Sequence, residues 1–212
     1  MIAIVRMKAQ EQRDTLWEYL VEHSGELQGR LEQEGRLLFL SQRARHEDVS
    51  LFVHVADPDV LASLIARDLA KIEGMTGCWM INMLRPLFFP LPRDTSGMSR
   101  HAITVRASPP KLEEVYESLS RSEMPPGVLM AYLALTCHLY GDCLQFSVLA
   151  EDENALNQHL DESVRTLPGV LHLTVSLIER TKPLVSYDEW GEYSAAHPSW
   201  DAAHMINQFG SA

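Results

Sequence analysis

The side chains able to do chemistry are scattered along this sequence rather than gathered into a known catalytic spacing. Nine histidines are present, and none stands in the HxH, HxxxH or HExxH spacing that puts two imidazoles on one metal. His46, His54, His138 and His172 fall in or beside strand-like segments. His54 and His172 lie on the strand face opposite the Val53 and Leu171 rows, where an imidazole in a part-apolar cavity can act as a proton donor or iron ligand. Cys78, Cys137 and Cys143 form no CxxC and sit mostly inside strand-like runs, which suits reduced thiols acting as small core residues. No nucleophile elbow, phosphate-binding glycine loop or dinucleotide fingerprint is present. Glu151-Asp152-Glu153 and Asp161-Glu162 read as solvated helix surfaces, the first also suited to a helix N-terminus. These residues by themselves predict no catalytic centre, no metal and no cofactor.

The elements that must carry these side chains are legible from periodicity. Gly141 to Lys182 reads strand, helix, strand. Leu144, Phe146 and Val148 alternate with polar neighbours as a strand with one buried face does. Asp152 stands at an N-cap position. Leu156, Leu160, Val164 and Leu167 form one stripe on a helix of about four turns. Leu-Pro-Gly ends it, and an alternating run follows from Val170. Upstream, a strand over 1–8, a helix over 10–33, strands over 36–45 and 50–55, a helix capped by Asp57-Pro58 and a strand over 78–89 follow in order. Pro90 to Ser99 reads as a linker. From His101 the order starts again, with a Ser108-Pro109 helix start and a strand over 128–138.

The repetition has a fixed offset. Shifting by 95 positions sets Val53 on Val148, Asp57 on Asp152, Leu61 on Leu156, Gly74 on Gly169 and Arg85 on Arg180. Matching caps and helix stops make this an internal repeat. The expected division is a first unit over 1–92, a linker over 93–99, a second unit over 100–186 and an aromatic tail over 187–212. At 212 residues and 46% hydrophobic content, each unit can bury a core. A formal charge of −11, with no basic run, argues against direct binding to nucleic acid. No signal peptide and no membrane-spanning apolar segment is read, and the reduced thiols suit a cytoplasm.

The Gly141-Asp142 turn, the acidic helix start, Leu167-Pro168-Gly169-Val170 and the strand from Thr174 to Lys182 together resemble the effector-binding domain of Lrp/AsnC-type regulators, without its helix-turn-helix. The resemblance implies an α+β fold of two tandem ferredoxin-like βαββαβ units. Their bare sheet faces would cover one another as a (pseudo-)dimeric α+β barrel, since soluble chains avoid large apolar patches. In that family an effector, often an amino acid, binds near the turn between the second and third strands, at a Gly-x-x-Asp pattern. Carried over, the ligand-binding candidates are Gly141 and Asp142 in the second unit and Arg45, His46 and Asp48 in the first. A turn glycine would admit a carboxylate to backbone amides, and an aspartate would accept from an ammonium. The sequence departs from the pattern twice: Arg45 stands where the glycine belongs, and Asp142 follows Gly141 directly.

The expected function is therefore a stand-alone small-molecule-sensing module. It would act by homo-oligomerising or docking onto a partner protein, with an amino acid or related metabolite as effector. Two other classes stay open: a barrel enzyme, either a cofactor-free monooxygenase or a haem- or tetrapyrrole-handling protein, and a ligand-free assembly protein. Fold kinship licenses none of these activities by itself.

Overall fold

The elements form where caps and alternation put them. A computed structural model describes residues 1–9, 13–31, 34–92, 94–137, 143–186, 188–189 and 192. In chain order they are β1 (Ile2–Ala9), α1 (Arg13–Glu22), α2 (Ser24–Leu31), β2 (Gly35–Arg43), β3 (Asp48–Val55), α3 (Pro58–Arg67) and β4 (Met75–Phe88). The order then repeats as β5 (Ser99–Ala107), α4 (Leu112–Ser120), β6 (Val128–Cys137), β7 (Cys143–Ala150), α5 (Glu153–His159) and β8 (Val170–Pro183). Asp57 caps α3 by accepting from the amides of Asp59 and Val60 at 2.8 and 3.0 Å. Asp152 caps α5 through the amide of Asn154. The expected single helix over 10–33 is two helices. The expected four-turn helix after Asp152 is α5 followed by a π-helical turn, Leu160–Val164, which still buries Leu156, Leu160 and Val164. Gly169 takes φ +100°, and any side chain there would collide with Lys111.

Two compact units result. The first is Met1–Met83 together with residues 179–190, and the second is Leu84–Ile178 together with residues 191–212. In the first, β1 pairs antiparallel with β3 and β4, and β3 pairs with β2. In the second, β5 pairs with β7 and β8, and β7 pairs with β6. Each unit has its own helix-covered core. Val5, Leu51 and Val53 pack with Leu16, Leu20 and Leu61 in the first. Ile103, Phe146 and Leu133 pack with Val115, Leu119 and Leu156 in the second. Burying each such side chain contributes roughly 1.5–3 kcal/mol.

The expected pair of self-contained ferredoxin-like units is corrected here. Hydrogen bonding runs β1-β3-β2-β8-β5-β7-β6-β4 and closes on itself, a single eight-stranded antiparallel barrel. The cause lies in β4 and β8, each 14 residues long against 8 in β1. Each pairs with the first strand of its own half and then continues beyond it. Closure leaves no bare strand edge, which an isolated four-stranded sheet would expose.

The offset of 95 places Arg85 and Arg180 in matching roles. Arg180 lies over the Trp17 ring at 4.6 Å and pairs with Asp14, both on α1. Arg85 lies over Tyr116 at 4.7 Å and pairs with Glu113 at 2.6 Å, both on α4. Each arginine thus locks the tail of a long strand onto a helix by stacking and a charge-assisted hydrogen bond.

His101 is buried, with Nε2 2.9 Å from the Ser99 hydroxyl and 3.8 Å from Glu153. Burial lowers its pKa, with Glu153 opposing. The unfolded chain therefore takes up a proton more readily than the folded one. The stabilisation is fully present above the unfolded value near ~6.5 and is lost as pH falls below it. His46 and His159 are displaced in the same direction. Denaturant unfolding should show stability falling between about pH 7 and pH 5, with a flatter profile in His101→Gln.

Candidate functional site

In each unit the strands have one face under helices and one away from them, and the two helix-free faces differ in kind. In the first unit, Phe39, Phe52, Ile4 and Ile81 lie side by side across β2, β3, β1 and β4. Phe39 and Phe52 stack at 4.0 Å. The corresponding row of the second unit is Tyr132, Ser147, Ala102 and Ser176, across β6, β7, β5 and β8. Three bulky apolar side chains are thus replaced by a serine, an alanine and a serine. The next row continues the low floor with Ala134, Thr104 and Thr174, with Gln145 rising among them. On the other side lies an apolar row, Leu129, Leu149 and Ile178, which holds Arg100.

Three tall polar groups stand over this floor. Tyr132 reaches the face because the β6 register shifts between Met130 and Tyr132. A bulge re-aims the side chains that follow it, and without it Tyr132 would point under the helices. Gln145 Nε2 donates to the Tyr132 hydroxyl at 3.3 Å, and Phe88 flanks the ring at 6.3 Å between centroids. Tyr132, Gln145, Ser147 and Ser176 are all buried. Burial lowers the pKa of Arg100, and the nearby Tyr132 opposes that shift. A cation, a phenol and an amide over a floor of small hydroxyl and methyl groups can hold a flat, largely apolar molecule by an oxygen at its edge.

The residues expected from sequence fall elsewhere. Gly141, Asp142 and His138 lie outside the described residues, as does most of the aromatic tail. Arg45, His46 and Asp48 do meet at the β2–β3 turn, but in unequal roles. Asp48 is buried and accepts from Arg43 Nη2 with both oxygens at 2.7 Å, while Arg6 Nε lies 3.8 Å away. It is thus consumed by arginines rather than offered to an ammonium. Arg45, in the glycine's place, takes φ 62°, a left-handed conformation that side chains resist. Arg45 and His46 line a cleft of about 400 Å³ with Ala9, Arg13, Asp14, Thr15 and Glu47. The His46 pKa is pressed down by burial and by Arg43 and Arg6, against Asp48.

Of the other residues singled out, His54 is buried on the helix-free face of the first unit. His172 is exposed, with Nε2 3.1 Å from the Thr174 hydroxyl. The Cys78 thiol is free, and burial pushes its pKa up to about 11. His159, which spacing did not flag, ends α5 with a buried Nε2 that has no hydrogen-bond partner among the described residues. Burial lowers its pKa, against Glu162, and keeps the imidazole neutral. Among the described residues, no group of three His, Cys, Asp or Glu side chains is arranged to hold a metal ion. Nor is any helix among them long and apolar enough to cross a membrane.

No family model matches this chain, and no curated protein matches it in sequence. Solved structures do share its fold. It is similar to a candidate monooxygenase from Lactobacillus acidophilus NCFM, with 12% identity and a TM-score of 0.53 over 87% of this chain and 93% of that one. It is similar to an anthrone oxidase-like protein at 9% identity and TM-score 0.52, over 87% and 94%. It is also similar to a variant of chlorite dismutase from Candidatus Nitrospira defluvii at 9% identity and TM-score 0.51, over 91% and 95%. Likeness at these identities shows the fold alone.

Proposed function

We propose that this chain is an enzyme that oxidises a small, flat, largely apolar compound carrying a phenolic or enolic oxygen. The site is the helix-free face of the second unit. The observation that carries this reading is the exchange of Phe52, Ile4 and Ile81 for Ser147, Ala102 and Ser176 beneath Arg100, Tyr132 and Gln145. The first unit's face carries bulky apolar side chains along this row, whereas the second carries small ones. Fold likeness to a candidate monooxygenase and an anthrone oxidase-like protein supports the reaction class. The enzyme alternative thereby gains over the amino-acid sensor, whose aspartate is already engaged.

The roles follow from charge. Arg100, among Leu129, Leu149 and Ile178, stabilises the anion left when the substrate releases its proton to solvent, a proton regained in the water formed at the end, and a cation acts more strongly at low dielectric than in water. Tyr132, oriented by Gln145, fixes the substrate oxygen. The electron-rich anion is then oxidised by dioxygen, so that a ring CH₂ becomes C=O and the second oxygen atom leaves as water. Oxygen uptake by the purified chain with anthrone-type substrates tests this. Consumption equimolar with substrate is expected, and no uptake above the buffer rate across a panel of such compounds would overturn it.

A second reading, tetrapyrrole handling, rests on His159. A neutral, buried and unpartnered Nε2 suits the donor chemistry of an axial iron ligand. His159 would hold the iron, and the bound group would supply redox chemistry. Titration with haem should then produce a sharp Soret band that is lost in His159→Ala. A band unchanged in the variant would remove this reading.

A further inference from the structure

We infer that the cleft between the start of α1 and the β2–β3 turn binds a small organic anion, a carboxylate or phosphate, with Arg45 as its charged anchor. The ion pairs around the cleft carry this inference. Asp14 is paired with Arg180 and approached by Arg13 Nε at 3.9 Å. Glu47 is paired with Lys8 at 2.6 Å, and Glu179 with Arg13 Nη2 at 3.2 Å. Asp48 serves Arg43 and Arg6 together. Among the described residues, each of these carboxylates has a cation against it, and Arg45 has no partner. The lining itself holds two cations, Arg13 and Arg45, and two carboxylates, Asp14 and Glu47, and with both carboxylates paired to Arg180 and Lys8 the Arg45 charge is left beside an open space of about 400 Å³.

The walls are held in place. Arg13 Nη1 donates to the backbone carbonyls of His46 at 3.1 Å and Arg43 at 3.4 Å, which ties the turn to the helix. Thr15 and His46 add neutral polar groups to the lining. Arg45 itself is kept at a backbone angle that favours glycine, and strain of this kind gathers at ligand-binding positions. The anion would take its charge from the Arg45 guanidinium, whose fork matches both carboxylate and phosphate. A zwitterion fits less well, because Asp14 and Glu47, the carboxylates among the described lining residues, are already paired. The cleft belongs to the first unit and is separate from the face assigned to oxidation.

The test uses the full chain and its thermal midpoint in succinate, inorganic phosphate, glycine and chloride at matched ionic strength. Succinate or phosphate should raise the midpoint beyond chloride, and the stronger of the two identifies the anion class. Glycine should match chloride. Arg45→Gly and Arg45→Asn, both tolerant of the left-handed angle, should keep or raise the basal midpoint. They should weaken anion binding by roughly tenfold or more, the effect of losing a charge-assisted hydrogen bond. Equal shifts in the wild type and both variants, no shift beyond chloride in the wild type, or a shift with glycine equal to that with succinate would each overturn the assignment.

Discussion

Arg100→Met should lower oxygen-dependent turnover by about two to three orders of magnitude, the usual effect of removing one group that stabilises a developing anion. The side chain stands in the apolar row of Leu129, Leu149 and Ile178, so methionine can fill much of its volume and the fold should survive. Loss of packing and loss of chemistry can be separated by a second variant. Ser147→Phe copies the first unit, where Phe52 stacks on Phe39 in the matching positions. It should close the floor beneath Tyr132 and abolish turnover without unfolding the chain. Steady-state oxygen electrode rates and far-UV circular dichroism, measured on the same preparations, check both. Full activity in Ser147→Phe would place the substrate elsewhere.

The largest loss of stability is expected at Asp48. Its carboxylate is buried and accepts twice from Arg43, with Arg6 close by, and the side chains of all three are at most 13% exposed. Asp48→Ala leaves buried guanidinium groups without their counter-charge, which should cost about 3–5 kcal/mol. Chemical denaturation of the wild type and the variant measures this directly. Joint replacement of the whole cluster, Arg6→Met and Arg43→Met with Asp48→Leu, should recover much of the loss. A paired ion cluster and an apolar filling differ little in energy, whereas a half-removed pair is expensive. A loss of under about 1 kcal/mol in Asp48→Ala would mean that water reaches the cluster, as at exposed pairs.

Much of the chain could be read from its residues because the signals are local. Asp57 and Asp152 cap helices because a carboxylate two residues from a free amide needs no tertiary help. The offset of 95 set Arg85 on Arg180, and both serve as strand-to-helix clamps. The same offset already set Phe52 against Ser147 and Ile81 against Ser176. That contrast between bulky and small side chains was the available signal for the site. Strand alternation does not expose it, because alternation says which residues share a face but not what the face must hold.

What the sequence alone determined is the order of elements, the two helix-covered cores and the repeat, all products of periodicity and capping within a few residues. Tertiary structure decided the rest. The length of β4 and β8 shows in sequence, but where each stops pairing with its own half depends on partners far along the chain. The strands therefore close into one hydrogen-bonded barrel where two tandem ferredoxin-like units covering one another as a (pseudo-)dimeric α+β barrel were expected. Tyr132 faces the site only because the β6 register slips between Met130 and Tyr132 against β7, a pairing that no local pattern encodes. Asp48 had the right type and spacing to receive an ammonium. Two arginines folded against it, and a buried charge is satisfied by the nearest opposite charge the fold supplies.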